Sequence, residues 1–183
     1  LPFLRKVNGR PANPLSADDV KPMPWVGINS ARLREQVANY YNCLERLDFG
    51  VGALLAELNR TGRVENTIVF YIGDHGAQFP RGKGTVYEGG LRVPMIVRWP
   101  AGVKLNTVSH QLVGLQDFMA TVADVLDLAI PENAAEDSIS FYPVLLGNQG
   151  EQATRTYTIH QTMSLGIAIR HGDWKYLDHK GSA

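Results

Sequence analysis

The run Thr67-Ile68-Val69-Phe70-Tyr71-Ile72 carries no charge, is rich in β-branched and aromatic residues, and stops at Gly73. A half-buried strand alternates apolar and polar positions. An unbroken run of this length suits a strand buried on both faces, as in a parallel sheet covered by helices. Pro94-Met95-Ile96-Val97-Arg98-Trp99 is a second run of the same kind, and a polar, glycine-rich loop over residues 73–92 joins the two. Upstream, Leu33, Val37, Tyr40, Leu44, Leu47, Val51, Leu54 and Leu58 recur at spacings of four and three, which predicts a helix from Ser30 to about Arg60. Gly50 and Gly52 argue against a coiled coil, because each costs about 1 kcal/mol relative to Ala in a helix, and suggest close approach to a sheet. Gly62 is a plausible C-terminal stop.

Downstream, Gln116 to Leu128 reads as a helix with Phe118, Val122, Val125 and Leu126 towards the core, and Phe141 to Leu146 as a helical turn. The end differs in character. Thr156–Ile159, Gly166–Arg170 and Trp174–Leu177 are short strand-like runs, with His171-Gly172-Asp173 as a tight-turn signal between the last two. These predict a small antiparallel meander. The expected class is α/β: part of a mixed, mostly parallel sheet flanked by helices over 1–150, then an antiparallel β subdomain over 151–183. Residues 1–29, broken by Pro2, Pro11, Pro14, Pro22 and Pro24, read as an extended lead-in.

Composition narrows the function classes. The 18 Lys+Arg balance 18 Asp+Glu, so the broad electrostatic attraction typical of a nucleic-acid binder is missing and no nucleic-acid partner is expected. No apolar run approaches the roughly 20 residues of a membrane span. The single cysteine, Cys43, excludes an intrachain disulfide and a CxxC zinc site, and it reads as a half-buried core thiol.

Ligands of open α/β sheets bind at the carboxyl ends of strands, and the 67–72 run ends in Gly73-Asp74-His75-Gly76. Asp supplies a hard oxygen ligand and neutral His a nitrogen, so adjacent residues can converge on one ion where the backbone turns. The plainer alternative is a tight turn capped by Asp74. Lys83 stands between Gly82 and Gly84, where a lysine can reach an anion; the glycine spacing does not fit a P-loop. His160 could line a substrate cleft from the meander, or be an ordinary hydrogen-bonded histidine.

Together, Asn66 through Gly76 followed by Gly82-Lys83-Gly84-Thr85-Val86-Tyr87-Glu88-Gly89-Gly90-Leu91-Arg92-Val93-Pro94 closely resemble the sulfatase family of the alkaline-phosphatase superfamily. Its signature runs from a buried strand into D-N/H-G and then G-K-x-x-x-Y-E-G-G-x-R-V-P. Tyr40 through Gly52, Phe141 through Gly147 and Ala168 through Leu177 extend the resemblance over about residues 36–180. The resemblance implies an alkaline-phosphatase-like fold. It implies that Asp74 and His75 are metal ligands, and that Lys83 is a catalytic and substrate-binding lysine that contacts the sulfate. It implies a divalent cation, calcium first, with manganese or zinc as alternatives because imidazole suits them. Tyr87, Glu88, Gly89, Gly90 and Arg92 match the motif and are expected to hold the loop.

The family's formylglycine nucleophile comes from a C/S-x-P-S-R motif, which these residues lack: Cys43, Ser16 and Ser30 do not fit. The first acidic metal pair is missing too. The expectation is therefore the C-terminal portion of a metal-dependent sulfuric ester hydrolase, inactive alone, with formylglycine in the missing N-terminal part. Its partners would be a sulfate ester and the missing half, or a second copy through exposed strand edges. Exported, periplasmic or lysosomal location follows from the family only. The competing readings are a phosphonate monoester or phosphodiester hydrolase of the same superfamily and a non-catalytic binding domain.

Overall fold

A computed structural model of the chain describes residues 9–148, 155–162 and 166–178. The chain divides into two compact units between Glu65 and Asn66; the expected boundary at 150/151 lies outside the described residues. Phe3, Leu4 and the other residues before Gly9 lie outside the described residues.

The first unit is built on helix α1, Ala31–Arg60. Ser30 caps its N-terminus, its Oγ accepting from the Leu33 N–H at 3.2 Å. That satisfies one of the donors a helix start leaves unpaired. At the other end Gly62 adopts φ +66°, the Arg63 N–H donates to Leu58 O and the Gly62 N–H to Asn59 O. This is the Schellman arrangement, so the glycine stops the helix as expected. The lead-in is tied to α1: the Leu15 N–H donates to Asn42 Oδ1, Asn42 Nδ2 donates back to Leu15 O, and Arg34 Nε donates to Ala17 O. Along the expected apolar face Val37 is buried, whereas Leu44, Leu47 and Leu54 are exposed. Gly50 and Gly52 both lie within α1, and a Cβ added at either would meet nothing within 4 Å.

The second unit begins with β1, Val69–Ile72, and β2, Met95–Arg98. They pair antiparallel, Val69 opposite Arg98 and Ile72 opposite Met95. The mostly parallel sheet expected from the apolar run is not found among the described strands, all of which pair antiparallel. The physical reason lies in the connection. A parallel neighbour needs a crossover, usually a helix, and residues 73–94 contain only the single turn α2, Glu88–Leu91, so the chain doubles back. The run does not report strand direction, nor is it buried on both faces here: Val69, Phe70 and Tyr71 are half-buried and Ile72 is exposed.

Phe70 of β1 meets Phe118 edge-on at 4.9 Å between ring centres, and Phe118 meets Phe141 at 5.6 Å. Phe141 is the largest fully buried side chain. Such edge-to-face contacts each add about 0.5–1.5 kcal/mol beyond burial. They fasten β1 to α3, Phe118–Val125, and α4, Tyr142–Leu145. The α3 face differs from expectation: Ala120 and Thr121 are buried, whereas Val122 and Leu126 are exposed. The cause is Asp117, which ends a 3-10 turn at Leu115–Asp117 and is drawn inside. Its carboxylate accepts from the Gly114 and Ile139 N–H groups and from Arg155, and its carbonyl accepts from Thr121 Oγ1.

The C-terminal meander is as expected: β3, Tyr157–Gln161, β4, Ile167–His171, and β5, Trp174–Asp178, in sequential order. Its two faces are unlike. Thr158, Ala168 and Lys175 point inward, while Tyr157, Ile159, Ile169, Trp174 and Tyr176 are exposed on the other side. No helix among the described residues is long and apolar enough to cross a membrane.

Candidate metal and anion site

β1 ends at Ile72, and the chain leaves it at Gly73, whose N–H donates to Pro94 O at 3.0 Å. The loop then folds on itself, backbone against backbone. The Gly76 N–H donates to Gly90 O at 3.0 Å, and a Cβ at Gly76 would lie 1.7 Å from Gly89 O. A Cβ at Gly82 would lie 2.0 Å from Ala77 O, the carbonyl that accepts from the Lys83 N–H at 2.9 Å. Only glycine permits these approaches. The spacing of the motif's glycines is therefore the spacing of its chain crossings.

The loop turns Asp74 and His75 towards each other. His75 Nε2 stands 3.4 Å from Asp74 Oδ2, and the His75 N–H donates to Asp74 Oδ1 at 3.0 Å. His75 Nδ1 lies 2.9 Å from Gly76 O. A carbonyl oxygen can only accept, so Nδ1 carries the proton, and in the neutral ring Nε2 presents a lone pair. With the ring neutral, as a metal ligand requires, Nε2 and Asp74 Oδ2 each offer a lone pair from the same turn of the loop. Two ligands of one divalent ion, each about 2.1–2.4 Å from it, stand about 3–3.4 Å apart when they subtend roughly a right angle. The pair fits one edge of a coordination shell. Both side chains reach solvent, Asp74 at 85% and His75 at 41% exposure. Among the described residues no group of three or more His, Cys, Asp or Glu gathers, so this pair by itself is not a closed site.

Lys83 is exposed on the next turn of the loop and enters no ion pair with another described residue. Arg81, at φ +61°, lays its guanidinium over the Tyr87 ring at 5.3 Å, closing the loop from outside. His160 sits on the meander, half-buried, with Nε2 3.0 Å from Thr158 Oγ1. Burial pushes its pKa below the ordinary value, the Lys175 charge adds to this, and Glu88 opposes it. Two architectural contacts escape a reading of the sequence, which expects Glu88 only to hold its own loop. Glu88 reaches the meander, its Oε1 accepting from Lys175 Nζ at 2.7 Å and its Oε2 from Arg170 Nη1 at 3.1 Å. The Lys175 hydrogen bond holds the Glu88 carboxyl below the usual range, against a smaller burial effect. Asp117 is the other; Asp117 and Thr121, four apart at a helix start, were its only trace.

The sulfatase family model matches residues 8–128. An N-acetylgalactosamine-6-O-sulfatase of Bacteroides thetaiotaomicron is 32% identical over 154 residues, covering 73% of this chain and 30% of that protein. A steryl-sulfatase of Mus musculus is 30% identical over 161 residues, covering 79% of this chain and 24% of that protein. An ulvan-active sulfatase of Formosa agariphila is 41% identical over 86 residues, covering 47% and 14%. The chain thus spans at most about a third of the length of these relatives. Among solved structures, a protein designated Ps i-CgsB in complex with a neocarrahexaose superposes with a TM-score of 0.67 at 28% identity, covering 78% of this chain and 34% of that one.

Proposed function

The chain belongs to the sulfatase family, and from that premise we propose that it forms the C-terminal portion of a metal-dependent sulfuric ester hydrolase. The observation that supports the reading is the 3.4 Å approach of His75 Nε2 to Asp74 Oδ2 at the end of β1, with Nδ1 turned to Gly76 O. We assign these two side chains to a divalent cation, calcium first. When bound, such an ion polarises an ester oxygen and offsets charge that develops on it. Asp74 contributes a negative oxygen ligand. His75 contributes a neutral nitrogen, oriented by its bond to Gly76 O. Lys83, exposed and in no ion pair among the described residues, supplies a positive charge to the sulfate oxygens, where two glycines let the anion approach the backbone. His160, kept neutral by burial, is assigned to the substrate side of the meander.

The formylglycine nucleophile and the first acidic metal pair then belong to the remainder of the protein, with which these 183 residues would pair. Failing that partner, strand edges of β1 and β2 offer a route to self-association. The complete protein is assigned to an exported, periplasmic or lysosomal setting. One feature favours a second reading, a phosphonate monoester or phosphodiester hydrolase: the imidazole at position 75 suits manganese or zinc better than calcium. The complete protein, assayed side by side on aryl sulfate and aryl phosphate esters with each metal, separates the two. Faster sulfate release supports the proposal, and faster phosphate or phosphonate release refutes it. Metal binding without turnover of either ester identifies a binding domain.

A further inference from the structure

We propose that Glu88 is a positioning residue, whose carboxylate latches β4 and β5 to the signature loop and so fixes where His160 stands. The proposal rests on the assignment of His160 to the substrate side. It starts from a conflict within the meander. Arg170 and Lys175 are direct cross-strand partners, and Thr158 is the partner of Arg170 on the other side. Like charges directly opposite each other destabilise a sheet. Glu88 resolves the conflict, because each carboxylate oxygen accepts from one of the two cations. The carboxylate is 49% exposed and the Lys175 ammonium side chain 17%. An ion pair this open contributes at most about 1 kcal/mol, so its effect is geometric rather than stabilising.

The geometry reaches His160 through strand periodicity. Side chains two apart share a face, which puts His160 beside Thr158 and on the side of the sheet that carries Arg170 and Lys175. The hydrogen bond between His160 Nε2 and Thr158 Oγ1 completes the row. The root of the meander is held elsewhere, by Arg155 on Asp117 and on the carbonyl of Asp137. Glu88 therefore governs the far strands and not whether the meander folds. Within the motif, this glutamate has a task its neighbours do not: Gly76, Gly82 and Gly90 close the loop, and Glu88 couples it to the meander.

The test is a proton NMR titration of the His160 ring in the 183-residue chain. Glu88→Gln removes a carboxylate that raises the His160 midpoint, and the midpoint should fall. Lys175→Met removes the cation that lowers it, and the midpoint should rise. Opposite shifts on a preserved, dispersed amide spectrum support the latch. Midpoints that stay put, or that move in the same direction, overturn it. If Glu88→Gln does not fold, Lys175→Met decides alone: a rise supports the latch and an unmoved midpoint refutes it. Absence of sulfate-ester turnover in the complete protein would defeat the proposed function while leaving these shifts intact, so the two failures are distinguishable.

Discussion

Asp117→Ala is expected to be the most damaging single truncation in the second unit. The side chain is 1% exposed and accepts from two backbone amides and two guanidinium nitrogens. Truncation leaves the Arg155 side chain, 10% exposed, as a charge without its partner. Breaking a buried pair in this way costs about 3–5 kcal/mol. The Gly114 and Ile139 amides lose their acceptor as well, and each partly buried orphan adds up to about 1–3 kcal/mol before relaxation and water reduce it. A loss of about 4 kcal/mol lowers the folding constant by roughly three decades, a large share of the 5–15 kcal/mol that holds a typical domain. Urea unfolding of the 183-residue chain measures it, and amide exchange at Gly114 and Ile139 localises it. Arg155→Met should cost about half as much, because the carboxylate keeps its two amide donors. Asp117→Ala combined with Arg155→Met should fall short of the sum by about 2 kcal/mol, the coupling expected of residues in one network. An Asp117→Ala midpoint within about 1 kcal/mol of the parent would refute the reasoning.

Three further outcomes follow from the loop and the meander. Gly76→Ala puts a methyl 1.7 Å from a backbone oxygen, so it should displace the Gly89 segment and abolish metal binding, read by calorimetry, with little change in the aromatic core; unchanged metal affinity would contradict the packing. Acid should loosen the meander in two steps. His160 is depressed in the fold, so the unfolded chain binds its proton first and stability falls as pH drops below 6.5. Glu88 is also depressed, and its contribution is lost as pH drops below 4.5 towards its folded value. Stability that rises on acidification through either window would show the signs to be wrong. The isolated 183-residue chain should release no sulfate from an aryl sulfate at any metal concentration; metal-dependent release would place a nucleophile within these residues.

Local structure was legible in the sequence where one residue type decides it. Ser30 and Gly62 bound α1, and Gly172, at φ +55°, turns β4 into β5. Asp74 and His75 are adjacent in sequence, so the turn at Gly73 suffices to bring their side chains together. What the sequence hid depends on distant chain. Strand direction at β1 and β2 follows from a connection without a crossover helix, not from the apolar run itself. Val122 and Leu126 keep helical spacing, yet they are exposed because the buried Asp117 turns the helix onto Ala120 and Thr121. Glu88 and Lys175 are 87 residues apart, and no periodicity reports such a pair.

The role proposed for Asp74 and His75 is to supply two ligands to the metal of a sulfatase. Calorimetric titration of calcium and manganese into the complete protein, beside its Asp74→Ala variant and with sulfate release followed on the same samples, tests it most directly. The variant is expected to lose metal affinity and sulfate release together, each by at least about a hundredfold. A variant that binds metal and releases sulfate as its parent does would contradict it.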